Sequence, residues 1–157
     1  MQKTIFTLAF TLCLACNLLA QVNHPTCDGT RYISNVFTNV DTTLAILFGN
    51  NTTIGGANQD LFMDIYEPAG DAAAMRPAIV LAFGGSFIGG SRYAEDVTYL
   101  CTEFAKRGYV CVSIQYRLGV NLTEILIDQS QAGPQFSNAV WRGTLDGRAA
   151  IRYLRAN

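Results

Sequence analysis

The sequence predicts an α/β protein built on a sheet that starts antiparallel and continues with parallel strands, and three observations predict it. Residues 77–83 (Pro-Ala-Ile-Val-Leu-Ala-Phe) and 109–116 (Tyr-Val-Cys-Val-Ser-Ile-Gln-Tyr) are largely apolar runs without the alternation of a half-solvated strand, as strands covered on both faces require. Each is followed by a loop and a helix-forming stretch, and a strand–loop–helix order repeated twice places parallel strands side by side with helices on the sheet faces. Upstream, short β-rich segments between 31 and 66 are divided by a turn cluster, as in a hairpin or meander.

The elements follow in order. Lys3 is the only charge in the first twenty residues, and an apolar stretch runs from Thr4 to Leu18-Leu19-Ala20 before the polar Gln21-Val22-Asn23. This reads as a signal peptide cut after Ala20, with a membrane anchor as the alternative. The stretch is short for a span and no basic stop signal follows. A lipid-modified Cys16 is a further option. Residues 21–30 read as a linker. Residues 31–48 are β-rich, 50–58 hold a cluster of Asn, Thr and Gly that signals a turn, and Leu61 to Tyr66 form a strand stopped by Pro68. After the strand at 77–83 comes Gly84-Gly85-Ser86-Phe87-Ile88-Gly89-Gly90-Ser91. A helix over 96–106 follows, with Asp96 as N-cap, an apolar stripe of Val97, Leu100, Cys101, Phe104 and Ala105, and Gly108 as its stop. The strand at 109–116 leads through a loop holding Gly119, Gly133 and Pro134 to a last helix from about 137 to 155.

Composition narrows the function. Half of the 157 residues are apolar, 15% are charged and the net charge is −1, so a buried core is expected and no basic footprint for nucleic acid or an anionic membrane exists. Beyond the leader lie Cys27, Cys101 and Cys111. An oxidising compartment allows one disulfide, for which Cys27–Cys101 is the pairing to test, while Cys111 in its apolar run reads as an inert buried thiol. No C-x-x-C spacing occurs after the leader and His24 is the only histidine, so no metal site and no cofactor is expected.

The glycine loop carries the chemistry. Glycines let a backbone turn sharply and approach a ligand, either to cradle phosphate or to aim N–H groups at the oxyanion of a tetrahedral intermediate. Gly84-x-x-x-x-Gly89-Gly90-Ser91 fits a phosphate loop except that Gly90 stands where the lysine belongs, and the missing ammonium weighs against nucleotide.

The stretch Phe83-Gly84-Gly85-Ser86-Phe87, with Gly89 and Ser91, resembles the H/Y-G-G-G-F-x-x-G-S element of α/β-hydrolases of the carboxylesterase/lipase type, which include type B carboxylesterases and hormone-sensitive-lipase-like esterases. Three further stretches are similar to that family in its order: Leu61-Phe62-Met63-Asp64-Ile65-Tyr66-Glu67-Pro68, the strand stretch from Lys106 to Tyr116-Arg117-Leu118-Gly119, and the helix stretch from Leu145-Asp146-Gly147-Arg148 to Leu154. The resemblance covers roughly residues 59–157. It implies a three-layer α/β-hydrolase-type sheet, with 31–157 as the N-terminal half of the domain, truncated before the nucleophile elbow. It also implies that the backbone N–H groups of Gly85 and Ser86 form the oxyanion hole, supported by Phe83, Gly84, Phe87 and Gly89. The substrate implied is a small-molecule or lipid ester. Phe83 departs from the usual His or Tyr, and Ser86 from the third Gly.

No G-x-S-x-G elbow occurs in the sequence, and no histidine follows the sheet strands. The expected function is therefore the oxyanion-hole half of a secreted or periplasmic serine esterase or lipase, inactive by itself because nucleophile and base are absent. Two alternatives stand beside it: a non-catalytic binding or adhesion protein on the same fold, and a related peptidase or polyester depolymerase. Asp146 and Arg148 read as ion-pairing members of the last helix, and Glu95 and Asp96 as helix-start charges. Ile125-Leu126-Ile127 reads as the buried anchor of a surface loop, or as lining for an acyl group. Asn-x-Thr sequons occur at Asn50, Asn51 and Asn121.

Overall fold

A computed structural model describes residues 28–157. The leader with its cut after Ala20, Cys16, His24 and Cys27 lie outside the described residues. Among the described residues the strands are β1 (Val40–Thr52), β2 (Asn58–Pro68), β3 (Ala78–Ala82) and β4 (Val110–Ile114), and the helices are α1 (Glu95–Lys106), α2 (Leu122–Ile127) and α3 (Ala132–Ala156), with a 3₁₀ turn at Gln129–Gln131.

The four strands form one mixed sheet in the order β1-β2-β4-β3. β1 and β2 form an antiparallel hairpin, β2 pairs antiparallel with β4, and β3 pairs parallel with β4 in the register Ala78–Val110 to Ala82–Ile114. Alternate side chains of a strand point to opposite faces. Cys111 therefore joins the core formed with Val97, Cys101 and Ala105 of α1, whereas Val112 and Ile114 join that formed with Phe48, Leu61, Met63 and Ala150 of α3. Helix, sheet and helix make three layers, as the βαβα order predicts. β4 is covered on both faces. β3, expected to be equally buried, is only half-buried because β4 pairs with one of its edges and no described strand pairs with the other.

Four boundaries differ from expectation, each for a local reason. The extended run expected from residue 31 begins only at Val40, because Tyr32 takes a left-handed φ of 73° and the segment folds against the end of α1 instead. There Tyr32 N–H donates to Arg107 O at 2.8 Å, and the Val36 and Phe37 N–H groups donate to Lys106 O at 2.9 Å, satisfying carbonyls a helix C-terminus leaves open. The N-cap of α1 is Ala94, not Asp96, whose carboxylate instead accepts the Val97 N–H at 2.9 Å. α3 starts at Ala132, earlier than expected, since Pro134 falls in the first turn, where no N–H is needed. Part of the expected loop is α2, with Asn121 as N-cap. Its Leu126 and Ile127 are 82% and 83% exposed, so the expected buried anchor is reduced to the half-buried Ile125.

A bulge interrupts the β1–β2 pairing between Thr43 and Ile46, where Ala45 has φ 57°. Asp64 of β2, 0% exposed, holds it: one carboxylate oxygen accepts the Ala45 N–H at 2.7 Å and the other accepts Arg92 Nε at 2.9 Å. Arg92 O in turn accepts the Ser113 hydroxyl at 2.7 Å. The chain leaving the glycine loop is thus tied to both β2 and β4.

Candidate functional site

The glycine loop leaves the C-terminal end of β3, the end of a parallel strand at which α/β folds place their sites. Gly85 O accepts the Ile88 and Gly89 N–H groups at 3.0 and 3.3 Å, closing a tight turn. Gly85 has φ 128°, and a Cβ there would collide with Gly89 O, so glycine is the residue this turn admits. Ser86 and Phe87 follow with φ of 54° and 59°. Among the described residues, the Gly84, Gly85 and Ser86 N–H groups donate to no backbone or side-chain acceptor.

These residues border a cavity of about 350 Å³ lined also by Phe83, Phe87, Tyr116 and, from α3, Val140, Gly143 and Thr144. The cavity is mainly apolar, and Gly84, Gly85 and Ser86 on its border are exposed. Residues 119–135 contribute nothing to its lining. A larger, shallow hollow of about 730 Å³ runs along the outer face of α1 between Glu95 and Lys106, bordered by ordinary helix-surface side chains.

Phe83 is buried, and its ring stacks on Tyr116 with centroids 4.2 Å apart. The Tyr116 hydroxyl donates to Phe83 O at 2.8 Å. Burial pushes the Tyr116 phenol up, so it remains a protonated donor well above neutral pH. Loss of a bracing side chain at position 83 is therefore accompanied by a brace from β4's end, one that sequence reasoning missed although Tyr116 stands in a stretch it had singled out. Phe87 meets Tyr116 edge-on at 5.5 Å, and Phe87 O accepts the Gly119 and Val120 N–H groups at 3.0 and 3.3 Å.

Asp146 is 1% exposed and accepts from Arg117 three ways: from the backbone N–H and Nε at 2.9 Å on Oδ2, and from Nη2 at 2.8 Å on Oδ1. Its expected ion-pairing role is realised with β4's trailing segment. Arg148 is exposed and has no ion pair among the described residues. Glu95 and Asp96 occupy the first turn of α1, where their charge opposes a phosphate on the preceding loop. Cys101 is fully buried with its thiol hydrogen-bonded to Cys111, which together with burial raises its pKa.

The fold is that of an α/β protein with a mixed sheet and a glycine loop at the C-terminal end of a parallel strand. Residues 63–128, from β2 through the glycine loop to α2, match the family model described as BD-FAE, an α/β-hydrolase-related family. The chain is also similar to a solved structure described as brefeldin A esterase, a bacterial homologue of human hormone sensitive lipase. Identity is 16% and the TM-score 0.39, over 61% of this chain and 29% of that one, so this chain spans less than a third of that esterase's length. No curated protein matches the chain.

Proposed function

We propose that this chain is the N-terminal part of an exported carboxylic ester hydrolase of the serine esterase/lipase type, and that it supplies the oxyanion hole. The Gly85 and Ser86 N–H groups receive the developing alkoxide of a tetrahedral intermediate, while Phe83, Gly84, Phe87 and Gly89 shape the loop. The nucleophile, acid and base come from outside these 157 residues, so the chain alone turns over no ester by the triad route. Its leader, cut after Ala20, delivers it to a periplasmic or extracellular space, and its substrates are small-molecule or lipid esters.

One observation carries the reading: N–H donors without internal acceptors border an apolar cavity at the C-terminal end of a parallel strand. Each such donor lowers the barrier by about 3–4 kcal/mol where acyl transfer uses one. The test is a polypeptide extended through a G-x-S-x-G elbow, labelled on the elbow serine with a diethyl phosphoryl group and crystallised. The phosphoryl oxygen is expected within hydrogen-bond reach of Gly85 N and Ser86 N, with nitrophenyl butyrate hydrolysis abolished when that serine becomes alanine. An oxygen directed to other donors, or an extended chain without an elbow serine, sinks the proposal, and the latter favours a binding protein on this fold.

A further inference from the structure

Ser86 and Phe87 are consecutive non-glycine residues in the left-handed region, with φ of 54° and 59°. Each costs about 1–2 kcal/mol relative to ordinary backbone, and such geometry persists only where neighbouring contacts over-determine it. Those contacts converge from one short segment. At the start of the loop, the Tyr116 hydroxyl donates to Phe83 O at 2.8 Å. At its far side, the Gly119 and Val120 N–H groups donate to Phe87 O at 3.0 and 3.3 Å. The open amides of Gly84, Gly85 and Ser86 lie between these two holds.

We infer that Tyr116 is a positioning residue of this loop, its hydroxyl acting with the Gly119 and Val120 amides as a clamp that fixes the Gly85 and Ser86 N–H donors in their receiving conformation. The inference rests on the oxyanion reading above. The clamp is itself anchored. Arg117 is bound to the buried Asp146, and Asn121 N–H donates at 2.7 Å to Gln135 Oε1, whose Nε2 donates at 2.8 Å to Glu124. Phe87 is seated from the other side by α3, where the absence of a Cβ at Gly143 makes room for its ring: a Cβ there would come 2.9 Å from Phe87 Cε1. Segment 116–121 is therefore fixed to α3 independently of the loop it grips. Tyr116 touches no reacting atom in this scheme; it acts through Phe83 O.

The experiment uses the ¹⁵N-labelled chain titrated with sodium butyrate, a carboxylate that resembles the ester's acid product. Saturable shifts are expected at the Gly85 and Ser86 amides. Tyr116→Phe keeps the stacked ring and removes the hydroxyl, and is expected to weaken butyrate about three- to tenfold, the worth of one hydrogen bond. Tyr109→Phe removes a hydroxyl that donates to Tyr32 O at 3.3 Å away from the loop, and is expected to leave butyrate affinity unchanged. Wild-type affinity in Tyr116→Phe overturns the clamp while leaving the oxyanion reading standing. Equal weakening by Tyr109→Phe also overturns it, because the effect is then general destabilisation. Wild-type amides at Gly85 and Ser86 that ignore butyrate overturn both readings together. Should Tyr116→Phe fail to fold, hydrogen exchange in wild type decides: butyrate should slow Gly119 and Val120 along with Ser86, and protection at Ser86 alone refutes the clamp.

Discussion

Ser86 shows how much one residue can hold in reserve. Its side chain is exposed and accepts or donates no hydrogen bond among the described residues, yet its backbone sits at φ 54°. Glycine suits that conformation without the Cβ penalty, so Ser86→Gly should stabilise the chain by about 1 kcal/mol, read as a higher urea midpoint at unchanged slope. An unchanged or lower midpoint would mean that the left-handed geometry is not strained. Nothing in Phe83-Gly84-Gly85-Ser86-Phe87 signals this geometry, because serine is not one of the residues enriched at positive φ; only the likeness to a third glycine pointed there. The same holds for Asp64, which sequence reading placed in a strand motif without a role. Its partners, Ala45 of the bulge and Arg92 beyond the glycine loop, lie 19 and 28 residues away, and pairing at that range is set by tertiary packing, not by local pattern.

Elements were legible where their periodicity is strong and local. The apolar run of β4 and the stripe of α1 identify themselves, and the hairpin β1–β2 follows from the turn cluster at 50–58. α3 was legible in kind but not in length, because Gly133 and Pro134 punctuate a sequence without saying which side of a helix start they fall on. What joins β4 to α3 was legible only as a charged residue in each. The structure brings Arg117 and Asp146 together in a buried, multiply bonded pair that also carries Arg117 Nη1 to Thr52 O at 2.8 Å at the end of β1. Removing one partner of a buried pair leaves the other desolvated and alone, so Asp146→Ala should lower stability by about 3–5 kcal/mol in urea unfolding. A loss below about 1 kcal/mol, the range of exposed pairs, would show that water enters the site.

At the scale of the whole molecule, the antiparallel start, the parallel β3–β4 pair and the layer arrangement agree with what the strand–helix alternation implied. The chain before β1 behaves differently: it is a strap closed by charges, not a strand held by a ladder. Arg31 is paired with Asp71, and the guanidinium beside it holds the Asp71 carboxyl below the usual carboxylate range. Asp28, whose carboxylate accepts the Arg31 and Thr30 N–H groups, is lowered to about 2. Glu103, which accepts from Lys106 and from Asn35 of the strap, is lowered as well. A carboxylate whose folded pKa is depressed contributes stability that is fully present above its unfolded value of about 4 and is lost as pH falls through the folded one. The strap should therefore hold at pH 5 and loosen between about pH 4 and pH 2, ahead of the sheet, whose β4 has no carboxylate of its own. The reporters are the Tyr32 and Phe37 amides, which donate to Arg107 O and Lys106 O. Their exchange protection should fall across that window while the amides of Val112 and Ile114 stay protected, and Asp71→Asn should loosen the same two amides already at pH 7. If Tyr32 and Phe37 keep their protection down to pH 2 alongside β4, the strap is held by its backbone bonds and aromatic packing, and its carboxylates contribute nothing to closure.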